Sequence, residues 1–339
     1  MAVSFAKFGN DLYTGARSFN FVGRRKIWYV IAAVMIVASV LLPVARGGFV
    51  FGIEFRGGSE FQVSGIADDG STSFERQDLA TSTVNEIVAG ASPHVTTVGD
   101  DGVRVQTDQL EAAESDIVRA ALADAFKVEL PEVTASFIGP SWGADITGKA
   151  VRALIIFVAL AAIVMALYFR TWKMSVAAII ALVHDIVITA GVYGALGFEI
   201  TPSAVIGFLT ILGYSLYDTV VVFDKIRENT SEDGSESSRT FAESVNLAVN
   251  QTLVRSINTG VVAALPVAAI LFIGAAILGA GTLRDIALSL LVGILIGTYS
   301  TIFIAAPIYS QLRENEPDLQ KRTKKVATTR ANSISGAVR

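Results

Sequence analysis

Hydrophobic positions along this chain gather into six long runs, at 27–45, 149–169, 174–195, 202–224, 252–275 and 283–311. Each is long enough to cross a hydrocarbon core of roughly 30 Å as a helix, and none shows the period-two alternation of a barrel strand. Six transmembrane helices are therefore predicted. A polar block, 46–148, separates the first run from the second, and the other five follow with mostly short connections. The pattern predicts one span, one domain in water and then a five-helix bundle. Polar segments flank this arrangement at 1–26 and 312–339, and a third lies at 225–251.

Inside the polar block the periodicity changes. Gly58–Ser64, Val95–Val98, Val103–Thr107 and Glu132–Ile138 read as strands, and Ser73–Ala89 and Glu111–Phe126 as helices. Gly99-Asp100-Asp101-Gly102 supplies a hairpin turn, and Thr72 or Ser73 a helix N-cap. The order β-α-β-β-α-β is that of the ferredoxin-like split βαβ arrangement. The predicted fold class is an α-helical polytopic membrane protein carrying one α+β ferredoxin-like domain. Acidic side chains outnumber basic ones between 46 and 145, which reads as a solvated surface.

Basic residues orient the spans. Lys7, Arg17, Arg24, Arg25 and Lys26 precede the first run, and Arg313, Lys321, Arg322, Lys324, Lys325, Arg330 and Arg339 follow the last. Arg170 and Lys173 fall between the second and third runs, whereas the loop 196–201 has no basic residue and 276–284 only Arg284. By the positive-inside rule both termini are expected in the cytoplasm and the polar block outside the cytoplasmic membrane. Leu42-Pro43-Val44-Ala45-Arg46 offers no clear small-x-small cleavage site, so the first run is expected to stay as an uncleaved anchor. Arg24-Arg25 lacks the rest of a twin-arginine signal.

Composition narrows the chemistry. Of 339 residues, 52% are hydrophobic and 17% charged, and the formal net charge of −4 gives no footing for a nucleic-acid partner. The absence of Cys excludes disulfides and thiolate metal sites, and the two His belong to no ligand-spaced cluster, so no metal is expected. No Gly-rich Lys-Ser/Thr loop occurs, so neither ATP nor another cofactor is expected. The energy source left for a membrane machine is the transmembrane ion gradient.

Few polar groups interrupt the runs. Asp218 sits well inside 202–224, where a charge costs roughly 2.5–3.5 kcal/mol on insertion scales, and so marks a functional site by default. Thr210, Tyr214 and Asp218 follow i, i+4, i+8 spacing and share one helix face. Arg255, Asn258 and Thr259 line one face of the next run, which returns in the opposite direction, so Asp218 is expected to approach Arg255. Burial favours the neutral acid and a guanidinium the anion, so one proton can alter the balance of such a pair. The plainer alternative is a static salt bridge, a weak device for stability because desolvation offsets much of its attraction. His184 and Asp185, near the middle of the third run, read either as an interhelical hydrogen bond or as support for a proton path.

At the far end of the fourth run, Asp224, Lys225, Arg227 and Glu228 read as a solvated helix end, and 229–239 as a flexible loop. Thr240-Phe241-Ala242-Glu243 reads as a capping box opening the next helix. After the first run, Gly52-Ile53-Glu54-Phe55-Arg56-Gly57-Gly58 carries paired glycines suited to a turn from a membrane helix into a strand.

At these residues the chain resembles the SecF family, the smaller of the paired SecD/SecF accessory subunits of the bacterial Sec protein translocase. The likeness rests on Gly52–Gly58 (Gly52, Glu54, Phe55, Gly57 and Gly58 above all), Ala181–Asp185, Gly213–Asn229 and Arg255–Thr259, in order and spacing across about 20–312. The resemblance implies an RND-like bundle completed by a SecD partner, use of the proton-motive force in protein export, and no enzymatic activity. It implies that Asp218 is the intramembrane acid and Arg255 its basic partner in a proton relay. Tyr214, Thr210, His184, Asp185, Asn258 and Thr259 are then supporting polar groups. The implied partners are SecD, the Sec translocon channel, the translocating preprotein and membrane lipid. Leu216-Tyr217 stands where many relatives have Ile-Asn, and Gly260 where Ser is common; neither change removes an ionisable group.

Two other classes share parts of the pattern. A proton-driven RND-type exporter of small molecules or lipids uses the same bundle type but usually carries both halves in one chain. An intramembrane aspartyl protease would use Asp185 and Asp218, but its Gly-x-Gly-Asp motif is absent.

Overall fold

The computed structural model describes residues 5–68, 70–91, 93–99, 101–232, 239–274 and 281–334. Asp100 of the hairpin turn, residues 233–238 of the loop 229–239, and 276–280 of the loop 276–284 lie outside the described residues.

The chain begins with α1 (Phe5–Tyr13), a short helix in the segment expected only to be polar, and enters the first span as α2 (Arg25–Ala45). After a one-turn helix α3 (Ile53–Arg56) come β1 (Gly58–Val63), α4 (Ser73–Ile87), β2 (His94–Val98), β3 (Gly102–Thr107), α5 (Ala112–Ala125) and β4 (Val133–Ile138). The strands form one antiparallel sheet in the order β2-β3-β1-β4. Phe61 of β1 stands opposite Val105 of β3 on one side and Ala135 of β4 on the other. Alternation along β1 and β3 sends Phe61, Val63, Val103 and Val105 to one face, where they pack with Ala80 and Val84 of α4 and Val118 and Leu122 of α5. Thr72 caps α4 in a reciprocal box with Glu75, satisfying donors that the helix start leaves open.

The bundle follows as α6 (Pro140–Phe169), α7 (Trp172–Leu196), α8 (Pro202–Glu232) and α9 (Phe241–Ala269). It ends with α10 (Gly281–Ser300), α11 (Ala306–Glu314) and α12 (Pro317–Ile334). Among the described residues, six helical stretches are long and apolar enough to cross a membrane: Arg25–Ala45, Ser141–Phe169, Trp172–Leu196, Pro202–Thr230, Phe241–Ile273 and Leu283–Glu314. The last runs through a π-turn at Thr301–Ala305 that joins α10 to α11.

Several boundaries move outward from the hydrophobic runs. Pro140 opens α6, and no second proline lies between it and the apolar stretch, so 140–148, assigned above to the water-exposed block, continue the membrane helix. Thr240 caps α9 in a reciprocal box with Glu243, and the polar turns before 252 belong to the same helix. The basic tail contains α12, whose Arg330 pairs with Glu243 at 2.8 Å.

The Gly52–Gly58 segment is the joint between domain and bundle. Gly57 and Gly58 take φ of 80° and 142°, values that L side chains rarely adopt. Gly143 of α6 lies directly under this turn, where a Cβ would stand 2.5 Å from the Phe55 carbonyl oxygen and 3.2 Å from Gly57 N. Further along α6, a Cβ on Gly148 would meet nothing within 4 Å. Gly143→Ala is therefore expected to destabilise the protein by about 1–3 kcal/mol through overpacking against backbone. Gly148→Ala should fall within about 0.5 kcal/mol of wild type or stabilise it slightly. Thermal melting of the two purified variants checks this, and equal effects would refute the tight joint.

Candidate functional site

Asp218 is buried in α8 with 3% of its surface exposed. Ser256 Oγ of α9 donates to its Oδ1 at 2.9 Å, while Oδ2 has no hydrogen-bond partner among the described residues. The expected ion pair with Arg255 is not formed: no Arg255 nitrogen lies within 4.0 Å of an acidic oxygen among the described residues. Consecutive residues of a helix are turned about 100° apart, so Ser256 facing α8 carries Arg255 onto the outer surface. Arg255 and Asn258 share a face, as their spacing predicts, but that face is exposed, and Thr259 is half-buried beside it. On α8, Thr210 is exposed and its hydroxyl bonds back to Ile206 O at 2.7 Å, while Tyr214 is half-buried and its Oη has no hydrogen-bond partner among the described residues. The polar stripe of α8 thus runs from the exposed surface inward to Asp218.

A second node surrounds Asp185, which is fully buried in α7. Its Oδ2 accepts from Ser215 Oγ of α8 at 2.6 Å and from Ser300 Oγ of α10 at 2.9 Å. Its Oδ1 lies 3.2 Å from His184 Nδ1, and His184 Nε2 has no partner among the described residues. One carboxylate therefore joins three spans. Gly297 of α10 lets Ser215 come close, since a Cβ there would stand 3.1 Å from the Ser215 Cβ. Beside this node Thr219 Oγ1 meets Thr301 Oγ1 at 3.0 Å. Ser300 ends α10 and Thr301 opens the π-turn, and their consecutive hydroxyls go to different partners. No hydrogen bond joins Asp185 to Asp218 among the described residues, so the two do not form a shared-proton dyad.

The serines and threonines of these nodes (Ser215, Ser256, Ser300, Thr219 and Thr301) were absent from the predicted site. Their one sequence signal is spacing: Ser215 precedes Asp218 by three residues, and Ser256 follows Arg255 directly.

At the domain end, the family-motif segment meets the loop between α7 and α8. Gly52 N donates to Ile200 O at 3.0 Å and Ile200 N to Val50 O at 2.8 Å. Phe55 packs on the cluster of Tyr193, Ile200 and Ala204. Glu54 is half-buried with Oε2 unpartnered among the described residues, and burial pushes its carboxyl above the usual range. Glu199, from the same loop, points beneath the sheet, where Gln106 Nε2 donates to its Oε2 at 3.2 Å and to Glu60 Oε2 at 2.9 Å. His94 Nε2 lies 3.7 Å from Glu199 Oε1, and Arg104 Nε 3.8 Å from Glu60 Oε2. Burial pushes the Glu199 carboxyl up to about 7, opposed by Arg104 and Gln106 and helped by Glu54 and Glu60. Burial also lowers the His94 pKa, with Arg56 adding to the effect, so the His94–Glu199 contact is not a fixed ion pair near neutral pH. Among the described residues no group of three or more His, Cys, Asp or Glu is placed to hold a metal ion.

Fold and site together define a multi-pass membrane protein with buried carboxylates held by hydroxyls. The family model "Protein export membrane protein SecD/SecF, C-terminal" matches residues 117–315, and the chain belongs to this SecD/SecF family. It is 44% identical over 327 residues to the protein translocase subunit SecF of Streptomyces coelicolor, covering 96% of this chain and 85% of that protein. It is 39% identical to SecF of Mycobacterium tuberculosis, covering 97% and 75%. Among solved structures, the translocon-associated membrane protein SecDF of Thermus thermophilus superposes with a TM-score of 0.75 at 30% identity. That match covers 88% of this chain but 39% of the SecDF chain, so this protein spans about two fifths of that longer molecule.

The Glu199 contact is expected to make the seating of the α/β domain on the bundle pH-dependent. A carboxyl whose seated pKa lies above its free value contributes stability that is fully present below the free value and lost as pH rises through the seated one, here about 7. Wild-type protein should therefore lose melting temperature on passing from about pH 5 to about pH 8. Glu199→Gln, which stays neutral, should remove that step. Melting curves of both proteins across this range decide the point; parallel pH profiles would show that Glu199 does not titrate in the contact.

Proposed function

We propose that this chain is the SecF half of a two-part membrane machine that draws on the proton-motive force to assist protein export. The observation that carries the reading is a buried Asp218 whose Ser256 donor is directly preceded by an exposed Arg255. A guanidinium facing hydrocarbon is costly, and intramembrane charges normally face the interior of a bundle or another polar group. The exposed face bearing Arg255, Asn258, Thr210 and Tyr217 is therefore the face that a SecD partner covers. In the assembled pair Arg255 faces polar groups of that partner near Asp218, where proton uptake by the acid changes what the guanidinium holds. The T. thermophilus relative, in which the matching region is about two fifths of one SecDF chain, supports such a half-unit.

The β-α-β-β-α-β order and the sheet order β2-β3-β1-β4 support a ferredoxin-like reading of the α/β domain. The distribution of Lys and Arg supports placing that domain outside and both termini in the cytoplasm. There the domain meets emerging polypeptide or SecD, while the relay works in an RND-like bundle with Asp218 as the acid and Arg255 as its basic partner. Tyr214, Thr210, His184, Asp185, Asn258 and Thr259 support the path. The roles of the chain are mechanical and proton-conducting, without enzymatic chemistry.

Two outcomes test this reading. Asp218→Asn keeps the shape and an acceptor for Ser256 but cannot release a proton, so a proton carrying about 2.3 kcal/mol per 100 mV finds no acceptor at this position. Translocation of a secreted substrate into vesicles should lose its stimulation by an imposed gradient, with membrane insertion and SecD association unchanged; full stimulation in the variant would refute the relay. For topology, the chain has no native Cys, so single cysteines report cleanly. A membrane-impermeant thiol reagent on intact cells should label Ala89→Cys and not Lys321→Cys, and the reverse pattern would invert the orientation.

A further inference from the structure

A cavity of about 870 Å³ opens at the end of the bundle opposite the α/β domain, between the α1–α2 connection, the start of α9 and the end of α12. Arg24, Arg25, Lys26, Arg239 and Arg330 line it, against two acids, Glu243 and Glu314. Both acids are already engaged: Arg25 meets Glu314 at 2.7 Å, and Arg330 holds Glu243 through two bonds of 2.8 and 2.9 Å. Arg24 and Lys26 are exposed and have no ion-pair partner among the described residues. The cavity therefore keeps a positive surplus on its α2 side.

Its wall is built rather than incidental. Asn246 of α9 accepts from the backbone N–H groups of Phe21 and Val22 at 2.8 and 3.2 Å, and Asn250 accepts from Phe19 N at 2.7 Å. Both asparagine amides donate back to Phe19 O, at 3.0 and 2.9 Å. These bonds fix the chain leading into α2. Trp28 fixes the depth, since its Nε1 donates to Phe21 O at 3.2 Å and its ring packs on Phe303 with centroids 4.5 Å apart. Directly past the basic rim the outer side of α2 is bare and apolar, with Ile27, Val30 and Val34 at 52%, 63% and 62% exposure. A phosphate in the cavity would sit at headgroup depth with a hydrocarbon-facing helix beneath it.

We propose that this cavity binds the phosphate headgroup of an anionic phospholipid of the cytoplasmic leaflet, its acyl chains lying along the bare face of α2. The assignment rests on the cytoplasmic placement of this end of the bundle. Arg24 supplies the planar donor fork that suits phosphate oxygens, and Lys26 a second cation beside it. Basic pockets on the cytoplasmic side of membrane helices are suited to such headgroups. The bound lipid bridges the α1–α2 connection, α9 and α12, which meet one another there through hydrogen bonds and the Arg330–Glu243 pair.

The test uses the full chain in a neutral detergent, titrated separately with phosphatidylglycerol, with phosphatidylcholine of the same acyl chains and with inorganic phosphate, following melting temperature and lipid retention by native mass spectrometry. Phosphatidylglycerol should raise the melting temperature and be retained at stoichiometric levels, the other two should not, and Arg24→Gln with Lys26→Gln should weaken retention by about tenfold or more. A charge-matched double variant on α12, Lys321→Gln with Lys324→Gln, should behave as wild type. Equal responses to the two lipids, equal losses in the two double variants, or inorganic phosphate matching phosphatidylglycerol would each overturn lipid binding at this site. The wild-type comparison stands even if the Arg24/Lys26 variant folds poorly. The same titration on the chain copurified with its partner subunit closes the test, because a response that vanishes there would give the cavity to that partner. Loss of gradient-driven export in Asp218→Asn has no bearing on this result, so the two proposals fail separately.

Discussion

The hydrogen bond from Ser256 to Asp218 sets the terms for the rest of the bundle. A carboxylate between two packed membrane helices has lost nearly all hydration, and a hydroxyl returns only part of it. With Oδ1 held and Oδ2 unpartnered among the described residues, Asp218 is fixed in position but left with an open acceptor. A static tie would be expected to satisfy both oxygens. The half-satisfied acid keeps an acceptor open, and its basic neighbour does not touch it because Ser256 is the residue of α9 that faces α8. Arg255 lies on the outward face next to Ser256, where a partner's polar groups can meet it.

Asp185 is the counterpart that does satisfy its oxygens. Bonds from Ser215 and Ser300 tie α7, α8 and α10 together, His184 of α7 meets the other oxygen, and Thr301 meets Thr219 alongside. Because Ser215 and Thr219 flank Asp218 on α8, any shift of that helix is felt at the Asp185 node. The joint at the other end couples the bundle to the α/β domain. There the Gly57–Gly58 turn rests on Gly143, and Glu199 reaches up to Gln106 and His94.

Hydropathy made the six spans legible because the bilayer imposes a length and a composition that few other structures need. The strands and helices of the polar block were also legible, since their two periodicities are distinct. Asp218 stood out for the same reason as the spans, as an exception to them. What the residues did not disclose was which neighbour Asp218 would choose. Charge suggested Arg255, but the helix face that packs on α8 carries Ser256, and packing decides hydrogen bonds before charge does. The serines and threonines of both nodes read as ordinary background in an apolar run, because a hydroxyl can always bond back to its own helix, as Thr210 does. Helices α1 and α12 stayed hidden because they lie outside the apolar runs, where hydropathy has nothing to report.

The central claim is that Asp218 changes protonation in the working pair. Infrared difference spectroscopy of the chain assembled with its SecD partner measures this directly, as a carbonyl band of a protonated carboxylic acid that rises and falls between acidic and alkaline buffer. The wild-type pair should show a titrating component that Asp218→Asn lacks, over the Glu199 carboxyl band that both share. A wild-type spectrum without that component, or one that the Asp218→Asn pair reproduces unchanged, would contradict the claim.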